Sequence, residues 1–245
     1  MERLQLLSIV IPVVNEESGI KKTISAIPKK KLSEQGYDVE IIVVDGNSID
    51  STRNVAESMG ARVISDGRRG YGRAYKTGFS EVKGDVIVTL DGDGTYPADL
   101  IPHCIEQLKE KNLDFITVNR FSDMENESMR ASHRIGNKIL SFTTSLLYSV
   151  NIKDSQSGMW IMTRSFIESI DLKSDGFPLS EEIKIIAFRY FKALELEGRY
   201  YRRVGNQKLL TFKDGWVNLK YLFIYRTLLS SAIKPIRDSI QKERA

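Results

Sequence analysis

Short apolar runs alternate with amphipathic stretches through the first half of the chain. Five runs rich in Ile and Val have the composition of buried parallel strands: residues 6–14, 40–45, 61–65, 85–91 and 113–119. Helical stretches lie between them and carry the usual end signals, since Ser51 precedes a helix that Gly60 ends and Pro97 stands where another begins. Strand–helix units at this spacing predict a doubly wound α/β sheet with a mostly parallel core.

The second half of the chain is less regular. We predict helices over residues 129–149 and 180–196, and strands over 158–163 and 199–204. Residues 216–233 combine aromatic and aliphatic side chains with Lys220 and Arg226, and Lys234 follows directly. No internal repeat is visible. The predicted organisation is one α/β domain over residues 1–212 and a basic, amphipathic helical segment over 213–245.

Composition and charge narrow the possible classes of protein and of binding partner. The hydrophobic content of 41% and charged content of 28% indicate a globular protein, and the single Cys104 excludes a disulfide framework. The net charge of +4 is uneven, because residues 198–245 hold 11 Lys and Arg against 3 Asp and Glu. Such a basic tail suggests an anionic partner such as a membrane surface or a phosphorylated substrate, or else a plain solvated face. No known nucleic-acid module is present, so we expect no nucleic-acid partner.

Targeting signals are not apparent at the sequence level. The N-terminus does not resemble a signal peptide, and no stretch reaches the roughly 20 apolar residues of a spanning helix. We therefore expect a cytoplasmic protein that is associated with the membrane only peripherally.

The strongest local chemical feature is the sequence Asp91-Gly92-Asp93 at the end of a buried run. Two carboxylates so placed can hold a hard divalent cation, with the rest of its shell supplied by water and phosphate oxygens. The alternative is a turn in which Asp93 or Thr95 caps the next helix. Because Asp45 and Glu16 also follow strands, and the carboxyl ends of parallel strands share one edge, we expect an acidic cleft there.

A basic, glycine-rich stretch over residues 68–74 follows the third predicted strand and brings flexible backbone to the same edge. Its Gly70-x-Gly72 does not mark a dinucleotide-binding fold, because the first turn of the chain has no glycine pair. The absence of a Walker A sequence excludes a P-loop enzyme.

The ordered series of motifs resembles family 2 glycosyltransferases of the GT-A fold. It comprises Ile11-Pro12-x-x-Asn15-Glu16, Val44-Asp45-Gly46-x-Ser48-x-Asp50-x-Thr52, Arg69-Gly70-x-Gly72-x-Ala74-x-x-x-Gly78 and Asp91-x-Asp93. The second half is similar to the dolichol-phosphate mannose synthase branch through Arg134-Ile135-Gly136-Asn137, Asp154-x-x-Ser157-Gly158, Gly176-Phe177 with Glu181-Glu182, and Arg203-x-Gly205-x-x-Lys208-Leu209. This branch often has paired aspartates where the chain has Asp45-Gly46, which leaves UDP or GDP and the identity of the hexose open.

The resemblance implies a role for each matched residue. Asp91 and Asp93 would hold Mg²⁺ or Mn²⁺ against the diphosphate of a nucleotide-sugar donor, and the transfer would invert the anomeric carbon. The nucleoside pocket would be lined by Pro12, Glu16, Asp45 and Asn47, with Arg69 nearby. The donor or acceptor phosphates would face Arg120, Arg134, Arg203 and Lys208.

The acceptor class has a chemical argument of its own. A hydroxyl acceptor needs a general base, whereas a phosphate monoester with a second pKa near ~6 is already largely dianionic at neutral pH. A lipid phosphate such as dolichyl or polyprenyl phosphate therefore needs cations more than a base. The chain has several candidate arginines and only two histidines, His103 and His133, and Glu181 or Glu182 could act as the base if the acceptor were a hydroxyl.

Three interpretations of the function stay open from the sequence alone. The first is hexose transfer to a lipid phosphate, the second is a soluble glycosyltransferase with a small phosphorylated or hydroxylated acceptor, and the third is a non-catalytic nucleotide-sugar binding protein. Residues 216–233 bear on the choice, because their apolar side chains and flanking Lys and Arg fit an interfacial helix. The alternative is that this helix packs on the catalytic domain or in a dimer.

Overall fold

A computed structural model describes residues 4–125, 128–205, 215–227 and 229. Within them, seven strands form one sheet: β1 (Gln5–Val13), β2 (Tyr37–Asp45), β3 (Arg62–Ser65), β4 (Val86–Thr89), β5 (Phe115–Met124), β6 (Trp160–Thr163) and β7 (Ala193–Tyr200). The helices are α1 (Glu17–Ala26), α2 (Lys29–Glu34), α3 (Thr52–Ser58), α4 (Tyr71–Glu81), α5 (Ile101–Glu110), α6 (Ala131–Tyr148), α7 (Arg164–Glu168) and α8 (Leu179–Tyr190). A 3₁₀ turn, Ala98–Leu100, precedes α5, and residues 215–227 form a last described helix, α9.

The sheet has the order β3-β2-β1-β4-β6-β5-β7. β1 to β4 are mutually parallel where they pair, β6 is antiparallel to both β4 and β5, and β7 is parallel to β5. All strands of this described sheet except β6 therefore point the same way, and their carboxyl ends meet at one edge. This confirms the predicted, mostly parallel α/β sheet flanked by helices.

The core lies in two layers because alternate residues of a strand point to opposite faces of the sheet. On β1, Ile9 and Ile11 pack with α1, α2, α3 and α5, whereas Val10 faces the layer formed by α4, α6, α7, α8 and α9. α9 belongs to the second layer, since its Leu222 and Tyr225 are buried there. The alternative in which the C-terminal helix packs on the catalytic domain therefore holds for this face of the helix.

Two predicted elements after residue 180 are wrong in extent. The helix predicted over 180–196 ends at Tyr190, where the backbone becomes extended at Phe191, and the strand predicted over 199–204 is instead β7, Ala193–Tyr200. Leu194 continues the helical spacing of Ile186 and Tyr190 but also alternates with Leu196, and pairing with β5 decides for the strand.

The remaining expectations have mixed outcomes. The stretch over 68–74 is not flexible throughout, because α4 begins at Tyr71, and β5 extends beyond its predicted end to Met124. The predicted boundary between residues 212 and 213 falls outside the described residues and stays a prediction. No described helix is both long enough and apolar enough to cross a membrane.

Candidate active site

Acidic side chains gather at the edge where the strands end. Asp45 is the last residue of β2, Glu16 follows β1, and Asp91 and Asp93 follow β4. The loops after β1 and β2 are joined directly, since the Glu16 amide donates a hydrogen bond of 2.7 Å to Thr52 Oγ1. The structure thus forms the acidic cleft that the sequence predicts.

Asp93 is buried and uses both carboxylate oxygens. Its Oδ1 accepts hydrogen bonds from the Thr95 amide at 3.1 Å and the Thr95 hydroxyl at 2.7 Å, and its Oδ2 accepts one from Arg203 Nη1 at 2.6 Å. The other terminal nitrogen of Arg203 donates to buried Glu16. Asp93 therefore makes a local turn with Thr95, which is one part of the alternative interpretation. The other part does not hold for Asp93, because its side chain does not cap the next helix. Its second oxygen faces the cleft.

Arg203 reaches the cleft because the chain after β7 lies along the Asp-Gly-Asp loop. The Tyr201 amide donates to the Thr95 carbonyl at 2.9 Å, and the Val204 amide donates to the Asp93 carbonyl at 3.0 Å. These backbone bonds hold the Arg203 guanidinium between Asp93 and Glu16. A basic residue far along the chain is thereby placed beside the candidate cation site.

Asp91 is held from the side of α4. Its Oδ1 accepts hydrogen bonds of 3.2 Å from the hydroxyls of Tyr71 and Tyr75, which lie one helical turn apart. Burial and the neighbouring Asp93 carboxylate raise the pKa of Asp91 to about 7, against the opposing charge of Arg120. The two carboxylates therefore repel each other, and a bound cation would relieve this repulsion.

The start of α4 can approach the cleft closely because of its two glycines. A Cβ on Gly72 would lie 2.7 Å from the Ser174 carbonyl oxygen and 2.8 Å from that of Gly176. Gly70 has φ of 135°, a conformation that other residues rarely adopt. The motif Gly70-x-Gly72 thus serves to pack α4 against residues 174–176, and Tyr71 reaches Asp91 from there.

Arg120 lies in β5 and is paired with Asp154. Its Nε and Nη2 donate to the two carboxylate oxygens at 2.7 and 2.9 Å, and both residues are buried. Burial alone would raise the pKa of Asp154, but Arg120 and the nearby charge of Lys184 hold it below its usual value. Lys184 Nζ also donates to the Asp154 carbonyl at 2.7 Å. The structure therefore fixes the orientation of Arg120 through a two-pronged contact.

The donor set at this edge suits a hard divalent cation. Among the described residues no group of three or more His, Cys, Asp or Glu side chains could hold a metal ion. Asp91 and Asp93 repel each other, and a cation held by these two carboxylates would take its other ligands from water or substrate oxygens. Mg²⁺ is commonly bound in this way, through one or two carboxylates and the phosphates of a substrate.

Comparison with known proteins agrees with this geometry. The family model described as glycosyl transferase family 2 matches residues 8–171, which include most of β1, all of β2 to β6 and both carboxylates of the candidate cation site. The chain belongs to glycosyl transferase family 2.

Relatives within the family include archaeal enzymes. The chain is 31% identical over 223 residues to the low-salt glycan biosynthesis hexosyltransferase Agl6 of Haloferax volcanii. That match covers 89% of the chain and 53% of Agl6, so the chain spans about half the length of this relative. It is also 29% identical over 210 residues to a dolichyl-phosphate hexose transferase of the same organism, with coverage of 85% and 89%.

Solved structures share the fold. Glucosyl-3-phosphoglycerate synthase from Mycobacterium tuberculosis, crystallised with Mn²⁺, UDP-glucose and phosphoglyceric acid, superposes with a TM-score of 0.69 at 20% identity. The superposition covers 91% of this chain and 79% of that one. The likeness confirms the predicted GT-A fold.

The other residues that the family resemblance singles out differ in placement and exposure. Asp45 is buried, and its Oδ1 accepts hydrogen bonds from the Ser48 amide at 3.0 Å and the Ser48 hydroxyl at 2.6 Å. Half-buried Pro12 pairs with Val44 in the sheet. The exposed members are Asn47 after β2, Arg69 before α4 and Arg134 in the first turn of α6, whereas Lys208 lies outside the described residues. Their roles stay predictions.

Glu181 and Glu182 are both buried and accept hydrogen bonds from neighbouring loops. Glu181 accepts a hydrogen bond from the Gln156 side chain at 2.6 Å, and Glu182 accepts bonds from the backbone amides of Lys173 and Ser174 at 2.7 and 2.8 Å. Burial raises the pKa of both carboxyl groups. They hold neighbouring loops, which makes either one a poor general base.

Several residues of the cleft were not predicted. The sequence motifs include Asp154 but do not show that it pairs with Arg120, and Tyr71 and Tyr75 carry no signal apart from their spacing on one helix face. Tyr96 is another, since its hydroxyl accepts a hydrogen bond of 2.6 Å from the Gly158 amide. The spacing of the two tyrosines before an acidic strand end is the one pattern that could have indicated them.

Proposed function

We propose that the chain transfers a hexose from a UDP- or GDP-linked sugar to dolichyl phosphate or another polyprenyl phosphate, with inversion at the anomeric carbon. The observation that carries the proposal is the pairing of charges at one sheet edge, where Asp91 and Asp93 lie beside Arg203 and near Arg120. Carboxylates for a cation and guanidinium groups for phosphates are what a transfer between two phosphate-bearing substrates requires.

The donor would bind along the ends of β1, β2 and β4. Asp45, Asn47, Pro12 and Glu16 would contact the nucleoside, with Arg69 nearby, and the diphosphate would lie against Asp91 and Asp93. Mg²⁺ or Mn²⁺ held by these two carboxylates would supply positive charge that neutralises the departing diphosphate. The Mn²⁺ and UDP-glucose in the structural neighbour agree with such a donor site.

Positively charged side chains would bind the acceptor phosphate, and no general base would be needed. Arg120 is fixed by Asp154, and Arg203 can exchange its contact with Asp93 for a substrate phosphate; Arg134 and Lys208 would complete the lining. A phosphate oxygen of the acceptor attacks the anomeric carbon, the bond from that carbon to the diphosphate oxygen breaks, and the nucleoside diphosphate leaves. No proton has to be removed from the nucleophile, which agrees with the engagement of Glu181 and Glu182 elsewhere.

A lipid acceptor implies that the protein works at a membrane surface. We place it peripherally on the cytoplasmic face, with residues 1–212 as the catalytic domain and the basic residues 213–245 towards the lipid. The likeness to the dolichyl-phosphate hexose transferase of Haloferax volcanii supports this acceptor class.

A transfer assay with radiolabelled donors tests the proposal. UDP- and GDP-sugars are offered one at a time to a short-chain polyprenyl phosphate, with Mg²⁺ or with EDTA. We expect label to enter the organic phase from one donor and EDTA to abolish this transfer. If free nucleotide appears while the lipid remains unlabelled, the acceptor is a different molecule. Tight donor binding without any turnover would indicate a non-catalytic binding protein.

A further inference from the structure

The carboxylate of Asp91 has one oxygen that the protein already uses and one that it leaves to the cleft. Its Oδ1 accepts hydrogen bonds of 3.2 Å from the hydroxyls of both Tyr71 and Tyr75. Within the described part of the chain no hydrogen bond reaches its Oδ2. A cation at this site would therefore meet Asp91 through Oδ2 alone, unless the two hydroxyls gave up Oδ1.

Asp93 is divided in the same way. Its Oδ1 accepts hydrogen bonds from the amide and the hydroxyl of Thr95, which belongs to the same turn. Its Oδ2 is bonded by Arg203, a cleft side chain that a bound cation would displace from this oxygen. The two carboxylates thus offer a cation one oxygen each.

The two tyrosines are held so that they keep Oδ1 engaged. Tyr75 is fully buried, and its ring meets that of Tyr71 edge to face with 4.9 Å between the centroids. Phe177 stacks on the ring of Tyr71 at 5.1 Å, and Trp160 lies 5.0 Å from the ring of Tyr75. Either hydroxyl could leave Asp91 only if its ring moved out of this packing, which is costly in a close-packed interior.

Gly158 closes the same oxygen from a third side. A Cβ on this residue would lie 2.3 Å from the Tyr71 hydroxyl and 3.2 Å from Asp91 Oδ1. Its backbone is fixed, because its amide donates to the Tyr96 hydroxyl at 2.6 Å and its carbonyl accepts from the Thr89 hydroxyl at 2.7 Å. The glycine therefore leaves room for the Tyr71 hydroxyl but none for further movement of Oδ1.

The number of available oxygens matters for the choice of cation. Ca²⁺ takes six to eight oxygen ligands and often binds both oxygens of one carboxylate, whereas Mg²⁺ prefers an octahedron built from one or two carboxylate oxygens, water and phosphate. Mn²⁺ likewise suits octahedral oxygen ligands. Two carboxylates that each give a single oxygen fit the octahedral ions and deprive Ca²⁺ of ligands.

We propose that Tyr71 and Tyr75 are positioning residues that hold Asp91 to a single coordinating oxygen and so favour Mg²⁺ or Mn²⁺ over Ca²⁺. The tyrosines act through the carboxylate and do not touch the cation. The inference rests on the cation site of the proposed function, but it does not depend on the sugar or on the acceptor.

Competition between Mn²⁺ and Ca²⁺ for the full chain tests the inference. The electron paramagnetic resonance signal of free Mn²⁺ reports how much is displaced as Ca²⁺ is added. We expect the wild type to bind Ca²⁺ at least about tenfold more weakly than Mn²⁺. The double substitution Tyr71→Phe/Tyr75→Phe releases Asp91 Oδ1 and should reduce this ratio of affinities by about fivefold or more. Thr95→Val removes one of the two donors to Asp93 Oδ1 and should change the ratio in the same direction.

Tyr37→Phe is the matched control. Tyr37 is buried at the first residue of β2, at the end of the strand away from the cleft, and its hydroxyl has no hydrogen-bond partner within the described residues. Its replacement should leave the ratio of the two affinities at the wild-type value. Thermal unfolding shows whether the double variant is folded, and the single variant Tyr75→Phe replaces it if it is not.

The ratio of the two affinities separates a positioning role from a purely structural one. If the tyrosines only stabilised the fold, their replacement would weaken the binding of both ions alike, and an unchanged ratio in a folded variant would overturn the inference. Equal affinity of the wild type for Mn²⁺ and Ca²⁺ would overturn it as well. If the wild type prefers Mn²⁺ as expected but transfers no sugar to any acceptor, the proposed function fails and the inference about the cation stands.

Discussion

Replacing Asp93 by asparagine is expected to lower the rate of sugar transfer by at least about a hundredfold. The substitution removes a negative oxygen that would bind the cation, and it also removes the charge that holds Arg203 at 2.6 Å. Initial rates at saturating donor measure the loss of transfer. Electron paramagnetic resonance of Mn²⁺ measures the loss of the cation-binding oxygen directly, as a lower affinity of the protein for the cation.

The matched control lies on the same strand. Asp85 is exposed at the beginning of β4, whereas Asp93 follows its carboxyl end, so Asp85→Asn makes the same chemical change away from the cleft. Its transfer rate should stay within about twofold of the wild type. A variant Asp93→Asn that binds Mn²⁺ normally and retains more than a tenth of the activity would contradict the assignment of this carboxylate.

Replacing Asp154 by alanine should destabilise the protein by about 3–5 kcal/mol. Arg120 is buried and donates two hydrogen bonds to Asp154, so the variant leaves a positive charge without its partner in the interior. Lys184, whose pKa is already lowered to about 7 by burial, lies close by and adds to the unfavourable charge. Urea unfolding followed by circular dichroism measures the loss.

A second ion pair on β5 provides the comparison. Asp123 and Arg199 are both exposed and 4.0 Å apart, so Asp123→Ala should change the free energy of unfolding by less than about 0.5 kcal/mol. The double substitution Arg120→Met/Asp154→Leu should restore much of the stability, because it removes both buried charges, but it should not restore transfer. If Asp154→Ala unfolds at the same urea concentration as the wild type, Arg120 is not anchored by this pair.

Much of the fold could be predicted because its signals are local. The Ile- and Val-rich runs that become β1 and β2 end at polar residues, and parallel strands place those ends together. Asp45, Asp91 and Asp93 could be assigned to one edge of the sheet on that ground alone. The same reasoning fails at β7. Leu194 fits a helical spacing and, together with Leu196, the alternation of a strand, and only pairing with β5 determines the structure.

Contacts between distant parts of the chain could not be predicted in this way. Arg203 reaches Asp93 because backbone hydrogen bonds lay the segment after β7 along the Asp-Gly-Asp loop, and nothing local in either segment indicates this. The pairing of Arg120 with Asp154 is of the same kind. The family resemblance identified Arg120 and Arg203, and the structure adds the carboxylates that orient them.

The C-terminal helix shows another limit of prediction from the sequence. Its composition is compatible with both an interfacial and a packed helix, and the sequence does not choose between them. In the structure Leu222 and Tyr225 are buried while Trp216 and Phe223 are exposed, so packing on the domain holds for one face and the interfacial role stays a prediction.

The central claim is that the acceptor nucleophile is a lipid-borne phosphate, and a comparison of acceptors tests it most directly. With the one donor that is used, transfer would be measured to polyprenyl phosphate, to the corresponding polyprenol and to phosphoglyceric acid under identical conditions. We predict that polyprenyl phosphate is labelled and that the other two are not. Transfer to the polyprenol would contradict the claim by requiring a general base, and transfer to phosphoglyceric acid alone would show that the enzyme acts on a small phosphorylated acceptor.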